Sequence, residues 1–597
     1  MTKNSPTLLN NPYGNASFDE FRQDEAAFAD KTDFIAELDK KSMTKYPVLL
    51  RPRRFGKSTF VKMLKCFYDL SYKERYEELF SQTAIYEKNL SSKNTYHVID
   101  FDFSGISGND VSTLVNDFII AINCGIDDFK ERYPDFVFKP KKNETKTPSG
   151  LLKTFLSAYK KFSSKKLLYV MIDEYDNFSN KTLSRDLDLF KAITGADSFL
   201  KAFYEAIKSG TKNSIAKTFI TGVSSVSLDS LSSGFNISIN VTSEPEFNTY
   251  AGFTENELRI LIPKLVDIDN LGVDTDEIIA RMKPVYDGYC FSKDTSQTLY
   301  NSSMCLYYLR SITKSGSLLP PEQYLDPASD HDGSKLNQLF EIAENGLENE
   351  IIDTYLSGDS FLVKKLAQNI DLNEKAAYDR EKLLSMLYYM GYLTIDPEAS
   401  DEEMLALRIP NLFMAELFAR CAVNLRLTTD SVFTACKLDI SALNNSEDDL
   451  SSFAVSCTEF LSSIVTNPVL THMNEMALNL TLYAKLSLLR GIQAAMQKPL
   501  RVPGEGEKFA DLVVTVNRSK SNECTYLFEL KYLPKNSGKS KKDNKDKNYE
   551  SELRRLKKEA ENEALMYSSA LDFRGKQVKA YVMIFQGPKC ILCEKQN

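Results

Sequence analysis

The stretch LLRPRRFGKSTF, residues 49–60, decides how the first half of this chain folds. Its close, Gly56-Lys57-Ser58, matches the end of the phosphate-loop pattern G-x-x-x-x-G-K-[ST]. Its opening does not, because Arg51 stands where that pattern puts glycine. The flanks give the context. YPVLLR (46–51) is an apolar run of strand length, and KSTFVKMLKCFYDL (57–70) spaces its apolar residues three and four apart, as a helix does. Strand, loop and helix in that order present backbone N–H groups at a helix N-terminus to phosphate oxygens. Gly56 allows close backbone approach, Lys57 reaches the terminal phosphates and the Ser58 hydroxyl ligates Mg²⁺; Thr59 belongs to the same nucleotide-binding set.

Such a loop needs a partner acid. LLYVMIDEYDNF (167–178) is an apolar strand ending in Asp173-Glu174. Asp173 is placed to hold Mg²⁺ and Glu174 to polarise an attacking water. A further strand, KTFITGV (217–223), ends in Thr221, a candidate for the γ-phosphate side. Either motif alone occurs by chance; both in order, each at a strand end, favour a nucleotide site. Arg51, Arg53 and Arg54 read two ways, as neutralisers of phosphate charge or as partners in local ion pairs. From about 45 to 245 strands alternate with helices, which predicts a parallel sheet covered by helices on both faces.

RPRRFGKS, the IDEYD strand end, ITGV, VYDGYCFS (285–292), LYNSSM (299–304) and MGYLTI (390–395) together resemble the bacterial AAA-ATPase-like family. The resemblance covers about residues 10–300 and continues through a helical part to about 415. In that family arginine commonly opens the loop, so the resemblance implies a working nucleotide site of divergent spelling, with ATP and Mg²⁺ as cofactors.

The chain has 597 residues, too many for one core. Its 43% hydrophobic and 26% charged residues suit a soluble protein, and no apolar run reaches membrane-span length. The N-terminus carries no basic start followed by an apolar run, which predicts no signal peptide and a cytoplasmic location, with delivery as an effector left open. The ten cysteines are scattered, as suits a reducing compartment. A net charge of −8 excludes a generally basic nucleic-acid coat but not local basic channels. Three histidines lie far apart. Cys590 and Cys593 form a C-x-x-C in a terminal strand, where alternation predicts opposite faces and a poor metal pair.

The second constellation lies in FADLVVTVNRSKSNECTYLFELKYL (509–533), two strands joined by a polar turn. Glu529 and Lys531 are two apart and share a face, and pairing of the strands would bring Asp511 to Glu529. Two carboxylates beside a lysine suit Mg²⁺ or Mn²⁺, which would activate water for phosphodiester hydrolysis while Lys531 stabilises the phosphate. The blander reading is an ordinary exposed E-x-K strand. An Asp, a hairpin and Glu-x-Lys resemble the PD-(D/E)XK nuclease superfamily. That resemblance implies a further metal ligand on the preceding helix, for which Glu475 is the candidate. It also implies a Gln-x-x-x-Tyr on the following helix, where this chain has Glu563 and Tyr567. A long helix is expected over 473–497. The run PKNSGKSKKDNKDKN (534–548) reads as a solvated loop or as a basic contact to a nucleic-acid backbone.

These readings predict an α/β multidomain chain. A P-loop NTPase domain occupies 1–250 and a mainly helical, lid or winged-helix-like region 251–425. A helical connector spans 426–470, and a restriction-endonuclease-like α/β domain spans 471–597. The expected function is an ATPase coupled to a metal-dependent nuclease, with nucleic acid (DNA foremost) and a second copy of the chain as partners and no membrane. The alternative is a nucleotide-switched binding protein or effector whose nuclease fold does not cut.

Overall fold

Four of the apolar runs become the strands β1 (Pro47–Leu50), β2 (His97–Asp102), β3 (Leu168–Asp173) and β4 (Ile215–Gly222), joined by a short β5 (Ile239–Asn240). In the computed structural model they form a sheet of order β2-β3-β4-β1-β5. Every pairing in it is parallel. Each residue of β1 and β3 is buried. Alternate side chains point to opposite faces, so both faces of these central strands are covered. The structure describes residues 8–596 except 142, 144, 164, 166, 184–185, 196–197, 226–233, 317, 319–329, 369, 371–376, 430–437, 465–473, 490, 518–522 and 534–541.

The chain forms two compact units. One comprises Met1–Asp330, Ile342–Glu344 and Leu362–Leu412; the other comprises His331–Glu341, Asn345–Phe361 and Phe413–Asn597. In the first, the helix Lys57–Tyr68 follows the loop after β1, and Val111–Arg132 starts at a capping box in which Asp110 accepts from the Thr113 N–H. The helix Arg380–Tyr389 runs on towards a strand, as MGYLTI suggests. A small sheet of order β6-β8-β7 comprises β6 (Phe361–Val363), β7 (Thr394–Ile395) and β8 (Leu405–Arg408).

The second unit is built on a mixed sheet of β9 (Ile492–Val502), β10 (Gly506–Val516), β11 (Cys524–Tyr532), β12 (Val578–Gln586) and β13 (Lys589–Gln596). The order is β13-β12-β11-β10-β9. Only β11 and β12 run parallel, and the helix Lys542–Ser568 provides their crossover. Leu500, Val513, Leu527, Val582 and Ile584 of the sheet pack with Leu556, Ala560 and Ala564 of that helix. The lysine-rich run begins outside the described residues, which resume at 542. No helix among the described residues is long and apolar enough to cross a membrane.

Two expectations are corrected here. The helix expected over 473–497 is Glu475–Ser487, after which Gly491 turns the chain at φ 84° into β9. Ile492–Val502 pairs with β10 at each position but Gln497, and Pro499, barred from a helix interior, is tolerated on this edge strand. Cys590 and Cys593 do not lie on opposite faces. Phe585 pairs with Cys590 but Ile584 with Leu592, so Ile591 bulges and resets the alternation. The two cysteines therefore share the face of Met583 and Phe585. Burial pushes both thiols up to about 12, which favours the protonated form.

Candidate nucleotide and metal-ion sites

Arg51, the residue that breaks the phosphate-loop pattern, is almost fully buried. Its Nη1 donates to the carbonyls of Leu50 (2.8 Å) and Thr242 (2.9 Å), and its Nη2 to Phe247 (2.6 Å) and Asn248 (3.3 Å). The guanidinium also lies over the rings of Phe291 and Tyr250, 4.1 and 4.8 Å from their centres. Of the two readings open for Arg51, phosphate neutralisation is thereby excluded: this side chain ties the strand end to the segment behind it. Arg53 reaches Asn177 Oδ1 at 3.3 Å.

The rest of the loop is held from behind by Gly252 and by two of the segments that carried the family resemblance, 285–292 and 299–304. Ser302 Oγ and the Ser303 N–H both donate to the Arg54 carbonyl, at 3.0 and 3.1 Å, and the Gly252 N–H donates to the Phe55 carbonyl at 2.7 Å. In a trans peptide the N–H points opposite to the C=O, so the Phe55 and Gly56 N–H groups face the other, concave side. Arg54 (φ 70°) and Gly56 (φ 91°) are left-handed around Phe55, an arrangement that gathers successive N–H groups into an anion-binding nest. The Phe55 ring packs edge-on against Tyr289 and Phe291, at 4.9 and 5.5 Å. Gly252 is required there, because a Cβ would lie 2.9 Å from Phe55 Cδ1.

Lys57 Nζ is buried, 3.3 Å from the Pro52 carbonyl and 3.4 Å from Glu174 Oε1. Asp173 hydrogen-bonds Ser58, and its carboxyl is pushed up to about 6 by burial and by Glu174 beside it, against the opposing effect of Ser58 and Lys57. Glu174 itself sits at φ 52°, a strained left-handed position at the strand end. The structure thus brings Gly56, Lys57, Ser58, Asp173 and Glu174 together, and two adjacent carboxyls facing one amine suit a divalent cation. Thr221 is apart from them: fully buried, its hydroxyl donates to the Leu49 carbonyl at 2.6 Å and locks β4 to β1. Sequence reading missed Asp176, which is wholly buried and accepts from the Val223 and Ser224 N–H groups at 3.0 and 2.6 Å, fixing the end of β3 to that of β4. Thr59 and Gly56 border a recess of about 110 Å³ lined by Tyr13, Phe18, Tyr250 and Phe253.

In the second unit the register that pairs Leu512 with Phe528 sets Asp511 opposite Glu529. Both share the sheet face of Val513 and Leu527, beneath the helix Lys542–Ser568. Lys531 Nζ bridges Glu529 Oε1 (2.9 Å) and Glu563 Oε2 (2.8 Å). Asp511 Oδ2 accepts from the Leu530 N–H at 3.0 Å, and Oδ1 accepts from Gln497 Nε2 at 3.1 Å, a partner the sequence reading missed. Glu529 Oε2 is buried with no hydrogen-bond partner. Burial and the adjacent Asp511 push the Glu529 carboxyl far above the usual carboxylate range, although Lys531 opposes the shift.

Glu475 is brought to the same strand end, but its Oε2 accepts from the Tyr532 N–H at 3.1 Å. Among the described residues no three His, Cys, Asp or Glu side chains converge as a metal cage. Of the three carboxylates expected from sequence, Asp511 and Glu529 stand opposite each other and Glu475 lies at the same strand end. That pair still fits Mg²⁺ or Mn²⁺. The orphaned Glu529 oxygen and the raised carboxyl mark a shortage of positive charge, and Mg²⁺ is commonly held by one or two carboxylates with water completing its shell.

Residues 12–232 match the family model described as "Predicted AAA-ATPase". The chain is also 25% identical over 301 residues to "Uncharacterized protein in vnfD 5'region" from Azotobacter chroococcum mcd 1. That match covers 49% of this chain and 50% of the relative, so the chain spans about half the length of the curated relative it matches. The phosphate-loop geometry lies inside the segment that matches this AAA-ATPase-like model.

Proposed function

We propose that the first unit binds ATP with Mg²⁺ and that the second is a metal-dependent phosphodiesterase acting on nucleic acid, DNA foremost, under control of the nucleotide state. The loop nest would hold the phosphates, and Lys57 would leave Pro52 and Glu174 for the terminal ones. Ser58 and Asp173 would hold the cation, and Glu174, once released from Lys57, would orient water. The aromatic recess beside Gly56 and Thr59 is a suitable seat for the base.

The observation that carries the second half is the convergence of Asp511, Glu529 and Lys531 on one sheet face, with an unsatisfied carboxylate oxygen between them. A bound Mg²⁺ or Mn²⁺ would acidify a water and stabilise charge on the phosphodiester oxygen. Asp511 and Glu529 would hold it, and Lys531 would orient the scissile phosphate or the attacking water.

The test is cleavage of linear and circular DNA by the whole chain with Mg²⁺ or Mn²⁺, with and without ATP. Cutting that disappears in Asp511→Ala and loses its ATP dependence in Lys57→Ala supports this reading. Cutting that survives Asp511→Ala unchanged ends it. A second reading, a nucleotide-switched binding protein that does not cut, is favoured by Glu563, which occupies the Lys531 amine at 2.8 Å. Tight, metal-independent nucleic-acid binding without cleavage of DNA or RNA would select it.

A further inference from the structure

Gln497 occupies the middle of β9 with φ 45°, a left-handed conformation. Among the described residues no other non-glycine residue inside a strand has a positive φ. Such a conformation costs an ordinary residue stability and persists where the surroundings impose it. A register slip does not impose it here. Lys498 pairs with Ala510 and Met496 with Leu512, so the ladder continues in step across Gln497 and Asp511. A strained backbone without a bulge would be served best by glycine, yet a glutamine stands there. What glutamine adds is the amide, and that amide donates to Asp511 Oδ1 at 3.1 Å. The NH₂ end of the amide faces this carboxylate oxygen, which accepts from it.

Asp511 is then held from two sides, Oδ1 by Gln497 and Oδ2 by the Leu530 N–H. Its plane is set relative to Glu529 on the neighbouring strand. The helix carries Glu563 where the superfamily resemblance implied a glutamine, and in this chain an amide enters the site from the sheet edge instead.

From this we infer that Gln497 is a positioning residue of the metal site, a strained edge-strand amide that orients the Asp511 carboxylate for a hard divalent cation. The inference rests on the metal-dependent reading of the second unit. Partners that orient a metal-binding carboxylate typically change metal affinity by roughly 10–100-fold when removed.

The experiment compares the whole wild-type chain with Gln497→Gly, Gln497→Asn and Asp511→Ala. It uses Mn²⁺ titration by calorimetry, metal-free thermal unfolding, and kcat and KM for DNA cleavage. Glycine relieves the left-handed backbone but deletes the amide. The expected result is a metal-free melting temperature at or above wild type, Mn²⁺ affinity weaker by roughly 10–100-fold, and a fall in kcat with KM for DNA unchanged. Asparagine tolerates the left-handed conformation and retains an amide, so it recovers part of both losses. Wild-type Mn²⁺ affinity and kcat in Gln497→Gly overturn the role of Gln497, as does a loss of melting temperature that accounts for weaker binding. A wild-type chain whose Mn²⁺ response is absent, or survives Asp511→Ala, overturns the metal-site reading and this inference with it.

Discussion

The guanidinium carbon of Arg51 lies 4.1 Å from the centre of the Phe291 ring, with four backbone carbonyls completing its surroundings. Arginine at the head of this loop is therefore a buried brace between β1 and the segment behind it. Replacing it with the glycine of the generic pattern would remove the guanidinium from those carbonyls, of which that of Phe247 keeps the Tyr250 N–H, and open a void between two rings. Arg51→Gly is expected to destabilise the first unit by about 2–5 kcal/mol, the cost of lost buried hydrogen bonds and of the cavity left behind. Urea unfolding followed by a probe in that unit checks it; unchanged stability with tighter nucleotide binding would contradict it.

Ser302 donates to the Arg54 carbonyl at 3.0 Å and so fixes which way that peptide plane faces. Ser302→Ala removes one neutral hydrogen bond, about 1 kcal/mol, from the back of the nest. ATP affinity measured by calorimetry should fall by roughly fivefold, the equivalent of that energy. Lys57→Ala should reduce it much further, and both variants should stay folded.

Glu563 holds Lys531 at 2.8 Å and adds a negative charge beside Glu529. Glu563→Gln keeps the shape and removes the charge. Lys531 then has one fewer carboxylate competing for it, and under the proposed phosphodiesterase reading DNA cleavage should rise by roughly tenfold, about the strength of one charge-assisted hydrogen bond. Cleavage that falls in this variant would mean that Glu563 itself serves the reaction.

Asp100 on β2 pairs with Lys62 and Lys65 at 2.9 and 2.8 Å. Burial alone would raise its carboxyl, but Lys65, Lys62 and Arg132 outweigh burial and hold it well below the usual range. A carboxylate with a folded pKa below its unfolded value of about 3.9 contributes stability that is complete above that value. The contribution is lost as pH falls towards the folded pKa. The wild-type first unit should lose stability steeply below about pH 4, and Asp100→Asn should be weaker at neutral pH and flatter over that acid range. Parallel wild-type and variant curves between pH 5 and 2 would refute the assignment.

Much of the fold was legible because its signals are local. The strands β1 to β4 are apolar runs and the loop after β1 has its motif, so the parallel sheet and the residues at its strand ends could be read off. The Glu-x-Lys spacing likewise put Glu529 and Lys531 on one face. β9 was misread as helix because its fate depends on β10, a partner that helical periodicity does not report. The cysteine pair was misread because a single bulge at Ile591, set by pairing with β12, reverses the alternation.

By itself the sequence determined which residues could do chemistry, since a Gly-Lys-Ser turn, an acidic strand end and a Glu-x-Lys strand each constrain their own few residues. Only the tertiary structure decided what the neighbours do. It committed Arg51 and Thr221 to bracing, aimed the loop carbonyls at Ser302 and Gly252, left Glu475 holding Tyr532, and brought Gln497 to Asp511. The physical reason is that a buried polar group must find a partner wherever the fold supplies one. Those partners come from segments distant in the chain, which no local pattern can name.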